Sequence, residues 1–183
     1  MNNRKIRVST LDDGNNLTCS YYAASQLGFK KILPSKTFED GILSLKKGKA
    51  DIVFVPGAYP GVNQFIMDKD IVVCKTFVHP IPPLLLTGFS LHPPEIASLI
   101  IHHPATTPLL PETGVIFKDT MKVTSNAVAC IKLIEQGQFD SLAITNKLCA
   151  DYFKLKIIKM LRRNDSLPHS ISDDMVVQFT LLF

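Results

Sequence analysis

One pattern occurs twice in this chain of 183 residues. Residues 37–56 begin with a capping Thr37 and a helix-spaced run of Phe38, Ile42 and Leu45, and Asp40 follows the cap in capping-box fashion. Gly48, two further residues, Asp51, an apolar strand candidate and a turn complete the pattern. Residues 125–145 repeat it with Ser125 or Asn126 as cap, then Ala127, Ile131 and Ile134 on one face, Gly137, two residues, Asp140, a strand candidate and a turn. A hydroxyl or amide at the cap satisfies a first-turn N–H, and a glycine just past the last turn ends the helix. Two copies of one such unit predict two similar α/β lobes. Each lobe is expected to turn its helix N-termini and strand carboxyl ends toward a shared cleft. Helix N-termini favour anions, so such a cleft suits a carboxylate or phosphate.

Composition sets the outer limits. Hydrophobic residues make up 46% of the chain and charged residues 20%, enough for a sizeable core and too ordered a mix for disorder. A net charge of +4 is too weak and too scattered to argue for nucleic acid, and the basic stretches at 46–49 and 162–163 read as solvated surface. No apolar run is long enough to span a bilayer, so no membrane partner is expected. Arg4, Lys5 and Arg7 lead straight into Ile6 and Val8 without the apolar core of a signal peptide, so a cytoplasmic location is expected. Cys19, Cys74, Cys130 and Cys149 form no C-x-x-C pair and read as reduced thiols. Cys19 lies near a helix start, where a thiolate is stabilised, and also fits as a small packing residue. His102 and His103 are neighbours on a predicted strand and point to opposite faces, so no metal site is expected.

Taken in order, strands are predicted at 6–11, 29–33, 52–55, 71–77, 84–87, 141–144, 156–160 and 175–183. A strand end is predicted at 100–103, with short strands at 115–117 and 121–123. Thr18 or Ser20 caps a helix stopped by Gly28, and Asn146 caps one through Tyr152. Pro56 is expected to end its ladder, because proline has no N–H to donate. A helical turn falls within 62–70, a short helical segment at 95–99, and loops at 79–83, 106–114 and 162–172. The lobes are placed at 1–83 with 165–183, and at 84–164.

Several side chains could serve a ligand. Thr18 and Ser20, and Ser125 and Asn126 in the second lobe, either contact a ligand carboxylate or only cap their helices. Tyr59, in the loop Gly57 to Gly61, could donate to a ligand hydroxyl or pack on a wall. His79 and His103 are candidates for proton donors or ligand cations.

The order of these pieces resembles the prephenate dehydratase domain, a two-lobed fold of the type II periplasmic-binding-protein kind. Thr10-Leu11, followed by 18–24, resembles a strand leading to the G-T-F-S helix start, with Thr18 and Ser20 on its Thr and Ser. Thr37-Phe38 resembles the T-F helix start, Val55-Pro56 the V-P of V-P-I-E-N-S, and Pro80-Ile81 with Leu84-Leu85 the P-I-x-x-x-L crossover. His103-Pro104 resembles S-H-P, and Thr124-Ser125-Asn126-Ala127 resembles S-T-A-x-A-A. The departures bear on activity. Asp12-Asp13 replaces the family's Gly-Pro, and Gly57-Ala58-Tyr59 replaces E-N-S. The family's T-R-F, whose Thr is the acid that helps hydroxide leave, falls on Val177-Gln178-Phe179.

A branch of that family is more similar: the non-aromatising prephenate decarboxylases of bacilysin-type antibiotic pathways. The likeness lies in V-P-x-A-Y-x-G, in Phe65, Met67 and Asp70, and in the segment Ala143 to Asn146. It implies a lyase without cofactor or metal that acts on a cyclic dicarboxylate such as prephenate. The implied substrate-binding residues are Thr18, Ser20, Tyr59, Thr124, Ser125, Asn126 and Gln178, with the general acid open among Tyr59, His79 and His103. A non-catalytic small-anion binding or sensing module and a residual dehydratase are the other readings. The resemblance leaves a homodimer open, and feedback control through an appended domain is not expected.

Overall fold

The computed structural model describes residues 6–12, 14–162 and 175–183, the stretch 175–179 by its backbone alone. The chain divides into two compact units, Met1–Ile81 with Val176–Phe183, and Pro82–Met175. The first unit runs β1 (Arg7–Leu11), α1 (Cys19–Gln26), β2 (Lys31–Ser35), α2 (Phe38–Lys46), β3 (Ile52–Pro56), α3 (Val62–Ile66) and β4 (Val73–Ile81). The second runs β5 (Leu84–Gly88), β6 (Ile96–His102), a 3-10 stretch (Pro104–Thr113), β7 (Ile116–Lys122), α4 (Asn126–Gln136), β8 (Ser141–Asn146), α5 (Lys147–Tyr152) and β9 (Lys156–Arg162). The last strand, β10 (Met175–Leu182), returns to the first sheet.

Each unit is built on one mixed sheet. The first has the order β2-β1-β3-β10-β4, with β1 parallel to β2 and β3 and β10 antiparallel to β3. The second has the order β7-β6-β8-β5-β9, with β6 parallel to β7 and β8 and β5 antiparallel to β8 and β9. In the first unit Phe38 and Ile42 of α2 pack on Val53, Val55 and Phe65. In the second, Leu86, Ile100, Leu142 and Ile144 pack with Leu109 of the 3-10 stretch.

The repeated pattern has a matching structure in both units. Thr37 caps α2 by accepting from the Asp40 N–H at 3.0 Å, and Ser125 caps α4 by accepting from the Val128 N–H at 3.1 Å. Gly48 and Gly137 follow with φ of 66° and 62°, a backbone conformation that a side chain would strain. The aspartate after each glycine then ties its strand to the neighbour. Asp51 accepts from the Arg7 backbone N–H at 2.8 Å and from its guanidinium at 2.6 and 3.0 Å. Asp140 accepts from the Ser98 hydroxyl at 2.9 Å.

The structure corrects several expected bounds. Pro56 ends the ladder as expected, itself the last residue of β3 and paired opposite Phe179 of β10, whereas other bounds move. β4 continues through His79 and Pro80, which an edge strand tolerates because one side of its backbone needs no donor. The segment 95–99, expected to be helical, lies largely in β6, where β-branched Ile96, Ile100 and Ile101 suit a pleated surface. The two short strands expected near 115–123 are one, β7, and the strand expected at 29–33 is displaced to β2. The expected loop 106–114 is mostly the 3-10 stretch. Ser20 is a helical residue of α1, and Thr18 alone is its cap. The buried stripe of α4 is Ala127, Cys130 and Leu133, while Ile134 is 43% exposed. Small residues there let the helix approach its sheet closely. The loop expected at 162–172 lies, beyond residue 162, outside the described residues.

Replacing Gly48 or Gly137 by alanine should lower the unfolding free energy by about 1 kcal/mol each, because both need positive φ. Urea titration of the two variants checks this, and unchanged midpoints would show that the conformation does not select glycine.

Candidate functional site

Both units gather candidate side chains where their parallel strands end, which is where open α/β sheets bind ligands. In the first unit β1 ends at Leu11, whose carbonyl accepts from the Thr18 hydroxyl at 2.5 Å. The same Thr18 oxygen accepts from the Tyr21 N–H at 3.1 Å, so this hydroxyl fastens the start of α1 to the end of β1. Ser20 is buried in the first turn of α1. The buried Asp12 organises the intervening loop, its carboxylate accepting from the Gly14 and Asn16 N–H groups at 2.8 and 3.1 Å.

Tyr59 follows β3 and is held on three sides. Its ring lies 4.7 Å from that of Phe38 and stacks on that of Phe65 at 5.8 Å. A Cβ at Gly61 would stand 2.6 Å from a Tyr59 ring carbon, so Gly61 makes room for the ring. The phenol donates to Glu39 Oε1 at 2.5 Å, in the first turn of α2. Burial of the ring, then the hydrogen bond and charge of Glu39, push the phenol up to about 12. Sequence reasoning put forward Tyr59 without Glu39. The capping motif brings Glu39 to the helix start, but nothing local announces a partner 20 residues away. His79 lies near the end of β4 and donates from Nδ1 to the Pro80 carbonyl at 2.7 Å.

In the second unit the candidates converge at the ends of β6, β7 and β8. His103 follows β6, Thr124, Ser125 and Asn126 follow β7, and Asn146 ends β8. The Thr145 hydroxyl donates to the Asn126 carbonyl at 2.9 Å and accepts from the Cys130 thiol at 3.2 Å, tying α4 to β8. Asn146 caps α5 by accepting from the Cys149 N–H at 2.9 Å. The His103 Nδ1 accepts from the Ala105 N–H at 3.2 Å, which leaves the ring proton on Nε2. Burial, then the neighbouring His102, hold His103 below the usual histidine range, so it is neutral at pH 7. Among the described residues Nε2 of His103 has no partner in the chain. Gln178 and Val177 lie in β10, but their side chains are outside the described residues.

The two ends differ in charge. The first carries the carboxylates of Asp12 and Glu39, whereas the candidates of the second are hydroxyls, amides and a neutral imidazole beside the 11-residue helix α4. The second therefore favours an anionic group through the positive end of the α4 dipole, and the first a hydroxyl or a cation. No group of three His, Cys, Asp or Glu side chains among the described residues could hold a metal ion.

No family model and no curated protein matches the chain. Its fold is shared by solved structures. Prephenate dehydratase from Arthrobacter aurescens in complex with L-Phe matches with a TM-score of 0.65 and 16% identity over 97% of this chain and 60% of the other. The quorum-quenching acylase GqqA matches at 0.60 with 16% identity over 96% and 63%. A putative methionine-binding lipoprotein from Bacillus subtilis matches at 0.54 with 11% identity over 95% and 82%. The chain thus spans less than two thirds of the dehydratase and the acylase. At these identities the likeness establishes the fold: a two-lobed α/β fold of the prephenate dehydratase and periplasmic-binding-protein kind.

Spectrophotometric titration tests the Tyr59 site. The difference between the native chain and a Tyr59→Phe variant should show a phenol ionising near 12, above the ordinary 10. Glu39→Gln should bring that step down, because the carboxylate no longer opposes the phenolate. A step at 10 in the native chain would mean that the Tyr59–Glu39 contact does not form in solution.

Proposed function

We propose that the protein binds a small cyclic dicarboxylate such as prephenate and decarboxylates it without aromatising the ring. The observation that carries this reading is His103, which follows β6 at the sheet end where β7 leads into α4, with its Nε2–H committed to no partner among the described residues. The other two candidate donors spend their protons inside the chain, Tyr59 on Glu39 and His79 on Pro80. The fold shared with prephenate dehydratase supports the substrate class.

In the proposed step a ligand carboxylate rests against the start of α4. The bond from the ring to its carboxylate breaks, and carbon dioxide leaves. The electron pair moves into the ring diene, and a proton is delivered to a ring carbon. The ring hydroxyl is retained, because Val177, where the dehydratases have a threonine, has no proton to help hydroxide leave. The products are carbon dioxide and a dihydro-hydroxyphenylpyruvate. Protonation at Nδ1, which opens the bond from the Ala105 N–H, gives the imidazolium that delivers the Nε2 proton, and the depressed pKa makes that form a stronger acid than an ordinary histidine.

A second reading has its own support. The hydroxyls of Thr18 and Tyr59 donate to Leu11 and Glu39, so both serve structure, as a binding module without chemistry would allow.

Product analysis of prephenate incubated with the protein at neutral pH, against a no-protein control, separates these readings. The expected product is the dihydro-hydroxyphenylpyruvate. Saturable binding without turnover would establish the binding module, phenylpyruvate above the control a residual dehydratase, and neither binding nor turnover would remove prephenate as ligand. With turnover in hand, His103→Gln should lower kcat by about a hundredfold. The native rate should fall as pH rises past a value below 6.5, since the donor is then deprotonated, and the variant should lose that dependence.

A further inference from the structure

The first unit has a concave site that the proposed function does not use. Leu27, Phe29, Lys75, Phe77 and Leu181 line a groove of about 180 Å³. It is built where α1 stops. The Leu27 N–H donates to the Ala23 carbonyl at 3.0 Å, Gly28 turns the chain with φ of 83°, and the Phe29 N–H returns to the Ala24 carbonyl at 3.3 Å. This closing turn places Leu27 and Phe29 beside β4, and Leu27 stays 40% exposed. The Phe77 ring packs 6.0 Å from that of the buried Phe54, and the Lys75 ammonium lies 5.7 Å from the Phe77 ring centre.

The charge around the groove has one sign. Residues 14–38, which carry α1, the closing turn and β2, contain no Asp or Glu but include Lys30, Lys31 and Lys36. Residues 71–94, which carry β4, likewise contain no acidic residue. No carboxylate among the described residues pairs with Lys75, whereas Arg7, Lys46, Lys132, Lys147 and Arg162 each have one. The groove therefore joins apolar walls, two of them aromatic, to an ammonium with no counter-ion among the described residues. A drug-sized pocket holds roughly 300–1,000 Å³, so this smaller one limits a ligand to about one ring.

We propose that this groove is a second ligand site, taking a small arylalkyl carboxylate whose ring covers Leu27, Phe29 and Phe77 and whose carboxylate meets Lys75. It is distinct from the candidate site at Thr18. The two lie at opposite ends of α1, and eight helical residues rise about 12 Å. The aromatic walls supply the affinity for the ring, and the ammonium selects the anion over a neutral twin.

Nuclear magnetic resonance titration of the isotope-labelled full chain tests this with two probes, phenylpropionate and the uncharged phenylpropanol. The acid should move the amides of Leu27, Phe29, Lys75, Phe77 and Leu181 saturably, and the alcohol should bind about fivefold or more weakly. Lys75→Met, an exposed position that keeps the apolar stem, should lower the affinity for the acid to that of the alcohol and leave the alcohol unchanged. Phe29→Ala should weaken both probes. Equal binding of acid and alcohol, no saturable shift, or shifts confined to the region of Thr18, Tyr59 or His103 would each overturn the proposal. Shifts at His103 alone would do so while leaving the proposed function intact.

Discussion

The salt bridge between Arg7 and Asp51 sets the alignment on which the first unit depends. Asp51 takes the first N–H of β1 and its guanidinium together, and returns its own N–H to the Arg7 carbonyl at 2.8 Å. That closure places Val8 opposite Ile52 and Ser9 opposite Val53. Residues 8–10 of β1 and 53–55 of β3 are all buried, so both faces are covered and a slip of one residue would exchange the side chains packed on each face. With the register fixed at one end, Leu11 and Pro56 emerge together at the other, and the Thr18 and Tyr59 loops start from a common edge. Asp140 and Ser98 perform the same alignment in the second unit with a hydroxyl in place of the guanidinium, bringing Leu99 opposite Ser141.

What could be read from the sequence was what short-range rules determine. A cap with its donor N–H three residues on, a glycine at the helix end and an apolar run after it are all local, and both copies of the repeat form in that order, although the buried face of α4 is not the one expected. The two-lobed α/β fold followed from them. The misreadings came where a distant partner decides. Residues 96–99 become strand because β7 pairs along them and β8 joins at Leu99. Pro80 stays in a strand because β4 is an edge. Glu39 takes the Tyr59 proton through a contact that no local pattern encodes. Around the candidate sites, the residue types were legible and the direction of their protons was not.

That direction gives the two units different chemical characters despite their common design. In the first, Thr18 and Tyr59 turn their protons inward, and carboxylates stand close by. In the second, the candidate groups at the ends of β6, β7 and β8 are hydroxyls, amides and one imidazole proton without a partner among the described residues, with Lys122 and Lys147 next to them in the chain. A duplicated framework thus carries two different sets of polar groups, one in each unit.

The close approach at Gly61 has a consequence for how this loop can change over generations. The Tyr59 ring occupies the volume in which residue 61 would place its first carbon. Positions 59 and 61 therefore cannot vary independently: a side chain at 61 demands a smaller or displaced residue at 59. Losing the tyrosine would in turn release Glu39 from its phenol partner. Three positions spread over some two dozen residues thus form one heritable unit, to be gained or lost together.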